Sequence, residues 1–226
     1  MDQYSRTKKM IGKNKLEEIR SKTVLIVGIG GVGGIALEML IRSGIENITI
    51  IDFDKFEESN LNRQILCDRN NLGKLKTQVA KEKLLNIHPN AKITIINEKL
   101  DDNVDDIIPK TDYIIDACDF VKAKIELVKY AIKNNVKIIS SCGTGNRIHP
   151  ELLKITNIWK TEYDPLAKKI RNNLRKEKIN YKLPVVASLE KPLLKSKEVV
   201  GSMAMVPNCA GILLASYIIN DILKEV

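Results

Sequence analysis

The sequence predicts an α/β fold, Rossmann-like, with a mostly parallel sheet and an antiparallel extension in the C-terminal half. Three observations carry this. An apolar, β-branched run, Thr23–Val27, ends on the closely spaced glycines Gly28, Gly30, Gly31 and Gly33 and passes into a helical pattern over 35–41. A second run, Asn47–Ile51, ends at Asp52, nineteen residues after Gly33. Strand-like and helix-like segments then alternate as far as Ser141, as a parallel sheet requires.

Each element has its own reason. Residues 15–22 read as a short helix leading into the first strand, with Arg6 in a polar arm before it. At Gly28, Gly30 and Gly33 a side chain would block a tight turn, the approach of backbone to phosphate, or helix–strand packing. The free N–H groups of the helix's first turn then face an anion, and Asp52 stands where such a unit holds a ribose. These features point to a nucleotide and leave a dehydrogenase and an ATP-using enzyme equally open.

The stretch 53–64 is too polar for a strand and rich in turn and capping residues, so it forms a loop at the carboxyl end of the sheet, where open α/β sheets bind ligands. Gly73-Lys74-Leu75-Lys76 starts a helix with Leu75, Val79, Leu84 and Ile87 near one face, and His88-Pro89 stops it. Strands are expected at 93–96 and 113–119, a helix at 122–134, and a last clear parallel strand at 136–141. The pattern then changes to a crossing loop at 142–147, a strand-like stretch at 152–159 and an amphipathic helix from Pro165, with Leu166, Ile170 and Leu174 on one face. Further strands are expected at 185–188 and 199–206, with Pro207 in the first turn of a final helix.

Bulk properties bound the rest. The 226 residues, 44% hydrophobic and 29% charged, fit one domain with a sizeable core. The polar start carries no signal-peptide pattern, and the longest apolar stretch, 210–219, is about half a membrane span, so a cytoplasmic protein is expected. Cys67, Cys118, Cys142 and Cys209 are widely separated with no C-x-x-C pair, and His88 and His149 are the only histidines. This argues against a disulfide framework and against a structural zinc site, and Cys118 is read as packing rather than as a thioester former. The net charge of +9 is uneven: between Asp164 and Lys197 ten basic residues face three acidic ones. From charge alone, an RNA partner and a merely solvated face are equally good readings.

Arg63, Gln64, Lys76 and Asp119 select among the nucleotide chemistries. Two cations near a triphosphate balance charge that grows on the α-phosphate, and a carboxylate can ligate Mg²⁺. Hydride transfer needs no such clamp. The ordered series of the glycine loop, Asp52-x-Asp54, Ser59-Asn60-Leu61-Asn62-Arg63-Gln64, Gly73-Lys74-Leu75-Lys76 and Asp116-x-x-Asp119 resembles the adenylating family of ubiquitin-activating and molybdopterin- and thiamine-biosynthesis enzymes.

That resemblance implies ATP on the loop of Gly28, Gly30, Gly31 and Gly33, with Asp52 on its ribose and Asp54 beside it. It implies Asn60, Arg63, Gln64 and Lys76 along the phosphates, Asp119 on Mg²⁺, and Arg6 reaching the ATP of a second copy in a homodimer. It leaves open a monovalent cation and a sulfur-transfer protein as a partner. Phe120 departs from the Asn found in many family members, and the zinc pairs of members that serve sulfur carriers are absent.

The second half, with Gly143-Thr144-Gly145-Asn146-Arg147, Asp164-Pro165, Arg171, Arg175 and Ser188-x-Glu190-Lys191-Pro192, resembles the family's branch of tRNA threonylcarbamoyladenosine dehydratases. This implies a single adenylating domain over 1–226, with a nucleotide-binding half (1–142) and a substrate-binding extension with the C-terminal helix (143–226). It also implies tRNA as the partner, met by Lys168, Lys169, Arg171 and Arg175, and no DNA. The alternatives are an adenylating enzyme for a ubiquitin-like sulfur carrier and a non-catalytic nucleotide-sensing scaffold.

Overall fold

The computed structural model describes residues 2–101, 103–193 and 200–224. Helices α1 (Ser5–Ile11) and α2 (Lys13–Ser21) precede β1 (Thr23–Val27), α3 (Gly33–Ser43) and β2 (Asn47–Ile51). Then come α4 (Lys76–Ile87), β3 (Lys92–Ile96), the single turn α5 (Val104–Ile107), β4 (Tyr113–Asp116), α6 (Val121–Asn134) and β5 (Lys137–Ser141). The second half adds β6 (Leu153–Asn157), α7 (Pro165–Lys176), β7 (Pro184–Ser188) and α8 (Met205–Lys224).

Seven strands share one sheet in the order β3-β2-β1-β4-β5-β7-β6. All pairings are parallel except β6 with β7, which is antiparallel at the edge. The inner strands β1, β4, β5 and β7 are buried on both faces, as their apolar runs allow, while the edge strands β3 and β6 are partly exposed. Val24 and Ile26 point into a core shared with α3, α4 and α8, while Leu25 and Val27 point into a second core with α6 and α7. Strand order reverses beside β1: the chain winds outward through β2 and β3, then returns to place β4 on β1's other side. Val27 therefore lies between Ile51 and Asp116, and the crevice beyond their carboxyl ends is where such sheets take ligands.

Four details differ from the sequence expectation. Arg6 is not in an arm but on α1, which is held down by Tyr4: its ring is 2% exposed, its hydroxyl donates to the Ile41 carbonyl at 2.7 Å, and the Arg20 guanidinium lies 5.0 Å from its centroid. One aromatic anchor leaves no periodic signal. The parallel sheet does not end at Ser141, because β7 pairs parallel with β5 through Ser140 and Val185.

No strand spans 199–206. Val199 lies outside the described residues, 200–204 are irregular, and the Gly201 backbone is tied to Asn146, whose N–H donates to the Gly201 carbonyl and whose Oδ1 accepts from its N–H, both at 2.7 Å. Finally, the C-terminal helix extends well past the apolar stretch 210–219 on both sides. At 20 residues and mean hydropathy 1.4, α8 is long and apolar enough to cross a membrane, yet it is a core helix. Val206, Ala210, Leu214, Ile218 and Ile222 are fully buried against the rest of the fold, and a Cβ on Gly211 would lie 2.2 Å from the Val32 carbonyl.

Candidate nucleotide site

The end of β1 and the end of β4 meet at the glycine loop. Gly28 has a φ of +82°, and a Cβ there would lie 2.9 Å from both the Ala117 carbonyl oxygen and the Cys118 Cα. A Cβ on Gly33 would overlap the Gly28 carbonyl at 1.9 Å. These two glycines are therefore required by backbone contacts alone. Gly30 is different: a Cβ there meets nothing closer than Gln64 Nε2 at 3.7 Å. Its bareness leaves the first turn of α3 open to a phosphate.

Asp52 ties the loop to the segment after β2, and Asp54 continues that link to Lys76. Asp52, 8% exposed, accepts the Ile29 N–H on one oxygen and the Asp54 N–H on the other, each at 2.8 Å. Burial raises its carboxyl above the usual range, and the two N–H donors and Lys76 oppose that rise. Asp54 pairs with Lys76 at 2.8 Å, and the Lys76 N–H donates to the Asp54 carbonyl. Lys76 is only 5% exposed, a lysine held in place by its neighbours.

The loop after β2 brings the next residues. Asn60, at the end of a short 3-10 turn (Glu58–Asn60), accepts the Glu57 N–H and is buried, so it fixes the loop. Arg63 folds back onto its own turn, donating to the Ser59 carbonyl at 2.8 Å and to Asn62 Oδ1 at 2.9 Å. Its carbonyl and Cγ come within 3.4 and 3.5 Å of where a Gly31 side chain would start. Gln64 is 6% exposed and its Oε1 has no hydrogen-bond partner among the described residues. A buried acceptor left open beside the phosphate loop suits a ligand that brings a donor, such as a ribose hydroxyl or an amino group.

Asp119 lies two residues past Ala117, in the turn between β4 and α6. It is exposed, and its carboxylate has no partner among the described residues. An unpaired carboxylate beside a phosphate loop is a fitting Mg²⁺ ligand. Burial pushes the Cys118 thiol well above the ordinary range, and the nearby Asp116 carboxylate, 3.1 Å from Sγ, pushes it the same way, which disfavours the thiolate.

The basic residues of the second half separate into two kinds. Lys168 and Lys169 are exposed on α7, and Arg175 is exposed with its guanidinium 5.4 Å over the Trp159 ring. Arg171 instead turns inward and donates to the carbonyls of Ile158 at 3.3 Å and Thr161 at 3.1 Å and to the Thr161 hydroxyl. Arg6 is exposed on α1. Three residues of the second-half motifs, Arg147, Asp164 and Glu190, tie backbone segments together. Arg147, 3% exposed, reaches Asp164 at 3.5 Å and donates to the carbonyls of Glu190, Tyr163 and Gly143. Asp164 caps α7 through the Ala167 N–H, and Glu190 accepts the N–H groups of Ile148 and His149.

Two groups escaped the sequence reading. Asn208, in the first turn of α8, donates to the Arg63 carbonyl at 2.9 Å. Lys124, 1% exposed, pairs with the fully buried Asp116. A signal for Lys124 exists: it shares the buried stripe of α6 with Val128 and Ala131, and a lysine at a core position demands a buried carboxylate.

Fold and site together define a nucleotide-binding protein of the type that activates a substrate with ATP, and the chain belongs to the ThiF family, which matches residues 4–223. Among its relatives, the tRNA threonylcarbamoyladenosine dehydratase of Bacillus subtilis (strain 168) is 33% identical over an alignment of 247 residues, covering 100% of this chain and 96% of that protein. The enzyme of the same name from Escherichia coli (strain K12) is 35% identical over 77% of this chain and 66% of its own length. The molybdopterin-synthase adenylyltransferase of Haemophilus influenzae is 35% identical over 70% of this chain and 65% of its own. The crystal structure of the E. coli dehydratase, TcdA, in complex with AMP matches with a TM-score of 0.93 at 29% identity, covering 99% of this chain and 94% of that one. Its complex with ATP gives 0.92 at the same identity and coverage.

Proposed function

We propose that this chain uses ATP to dehydrate threonylcarbamoyladenosine in tRNA, beside the anticodon, by adenylating the threonyl carboxylate. The observation that carries the reading is the continuous arrangement at the switch point. Gly28 and Gly33 open the loop, Asp52 holds it at Ile29 and holds Asp54, the partner of Lys76, the backbone and stem of Arg63 pack on Gly31, and the turn bearing Asp119 packs on Gly28. Full-length likeness to proteins named for this reaction supports it.

A free carboxylate is a poor electrophile, and joining it to AMP supplies a good leaving group. In the first step a threonyl carboxylate oxygen bonds to the α-phosphorus and pyrophosphate leaves. Arg63, now turned onto Ser59 and Asn62, and Lys76, now paired with Asp54, are the cations that would balance the negative charge that grows there once they turn to the nucleotide. Asp119 is the residue that would hold Mg²⁺, which supplies further charge neutralisation on the phosphates. In the second step a nitrogen of the neighbouring urea bonds to the acyl carbon and gives up its proton to solvent while the bond from that carbon to AMP breaks, so the nucleoside has lost one water in all. The attacking atom belongs to the substrate and is already close, so no protein nucleophile is needed.

The exposed cations of α7, Lys168, Lys169 and Arg175, form the face that meets tRNA in this reading. A homodimer completes the site, with Arg6 reaching the nucleotide of a second copy. The cell compartment is the cytoplasm, where tRNA is the substrate.

The test is to incubate the protein with Mg-ATP and tRNA bearing threonylcarbamoyladenosine, digest the tRNA, and weigh the nucleosides. A nucleoside lighter by one water, with AMP and pyrophosphate released in step, is the expected result. Pyrophosphate released only with a ubiquitin-like carrier would move the assignment to carrier activation, and no ATP turnover with either would leave a scaffold. For the dimer, mixing inactive Arg6→Ala and Lys76→Ala subunits should restore part of the activity; no recovery would argue against a shared site.

A further inference from the structure

No step above uses the buried pair of Lys124 and Asp116. Lys124 Nζ donates to both carboxylate oxygens at 3.0 Å, to Ser140 Oγ at 3.1 Å and to the Ser141 carbonyl at 3.0 Å. Asp116 also accepts the Ser140 hydroxyl at 2.5 Å and the Cys118 N–H at 3.3 Å. Lysine, carboxylate and serine thus tie the end of β4, the end of β5 and the first turn of α6 at one buried point.

An apolar cluster would hold these elements together as well, because removing two charges from water costs about as much as their attraction returns. What an apolar cluster lacks is direction. The pair sits at the two ends of the 117–120 turn, with Asp116 before it and Lys124 one helical turn after. This same turn lies on Gly28, and Asp119 is its exposed carboxylate.

We propose that Lys124 and Asp116 are positioning residues: their buried ion pair fixes the turn between β4 and α6 so that Asp119 is held at the phosphate loop in the place where it can share Mg²⁺ with ATP. This rests on the adenylation reading and names the device that sets its metal ligand. Rigid support behind a ligand is what keeps such a site at working geometry.

The test compares wild type with the double variant Asp116→Asn/Lys124→Met, which removes both charges at nearly constant volume, and with the milder Ser140→Ala. Thermal midpoints are measured, then ATP affinity in Mg²⁺ and in EDTA by calorimetry. The double variant is expected to melt within a few degrees of wild type and to bind ATP in EDTA as wild type does, while losing at least about tenfold of the affinity gained with Mg²⁺. Ser140→Ala should lose a smaller part of that gain and keeps the question decidable if the double variant does not fold. Wild-type Mg²⁺ dependence in a folded double variant, or in Ser140→Ala when that is the only folded one, overturns the inference. A wild type that binds no ATP would instead overturn the functional reading along with it.

Discussion

Asp52 spends both carboxylate oxygens on backbone, one holding Ile29 in the phosphate loop and the other holding Asp54, the partner of Lys76. Its burial makes each bond hard to replace with water. Asp52→Ala leaves two N–H groups without an acceptor, so we expect a loss of roughly 1–3 kcal/mol in denaturant unfolding and ATP affinity weakened at least tenfold. Wild-type affinity in that variant would show that the loop holds its shape without the carboxylate. The thiols give a second prediction at this scale. Burial raises Cys67, Cys118 and Cys142, so the folded protein should yield at most one fast thiol per chain to an aromatic disulfide reagent, and four in denaturant. Fast labelling at Cys118 would reopen the thioester question.

At the scale of elements, α7 has two jobs for one kind of residue. Lys168, Lys169 and Arg175 stand in water, and Arg171 caps the end of the Ile158–Lys160 turn. Reversing the first three together should weaken tRNA binding severalfold to a hundredfold at fixed salt and flatten its salt dependence by up to about three counterions, with ATP binding intact. Arg171→Glu should instead lower the melting temperature, because it puts a carboxylate against two carbonyl oxygens. Measuring both properties on both variants separates the roles, and unchanged tRNA affinity in the triple reversal would remove α7 from the interface.

At the scale of the whole molecule, α8 joins the two halves. Gly211 lets its backbone rest on Val32 at the start of α3, Pro207 packs near Gly31, Asn208 holds the Arg63 carbonyl, and Lys15 of α2 donates to the Leu223 carbonyl near its other end. Gly211→Val drives a branched side chain into that contact. We expect a destabilisation of about 1–3 kcal/mol, or roughly 2–12 °C in melting temperature, together with weaker ATP binding because α3 carries the loop. A variant that melts lower yet binds ATP normally would show that the loop and α8 are not mechanically joined.

What the sequence by itself determined is what local physics determines. Glycines with no room for a side chain, β-branched runs and capped helices announce β1, the phosphate loop, α3 and the parallel half of the sheet, and ordered motif spacing announces the family. The tertiary structure alone decided which charges are free and which are consumed. Arg171 and Arg175 look alike in sequence, but one faces carbonyls and the other faces solvent. Lys124 is marked in the sequence only by its core position on α6, and its partners Asp116 and Ser140 are supplied by β4 and β5. The expected strand at 199–206 failed for the same reason: a β-branched run becomes a strand only where a neighbour offers a ladder, and the described part of this one found a side chain of Asn146 and the start of a core helix. Burial and partnership are long-range quantities, and no window of sequence contains them.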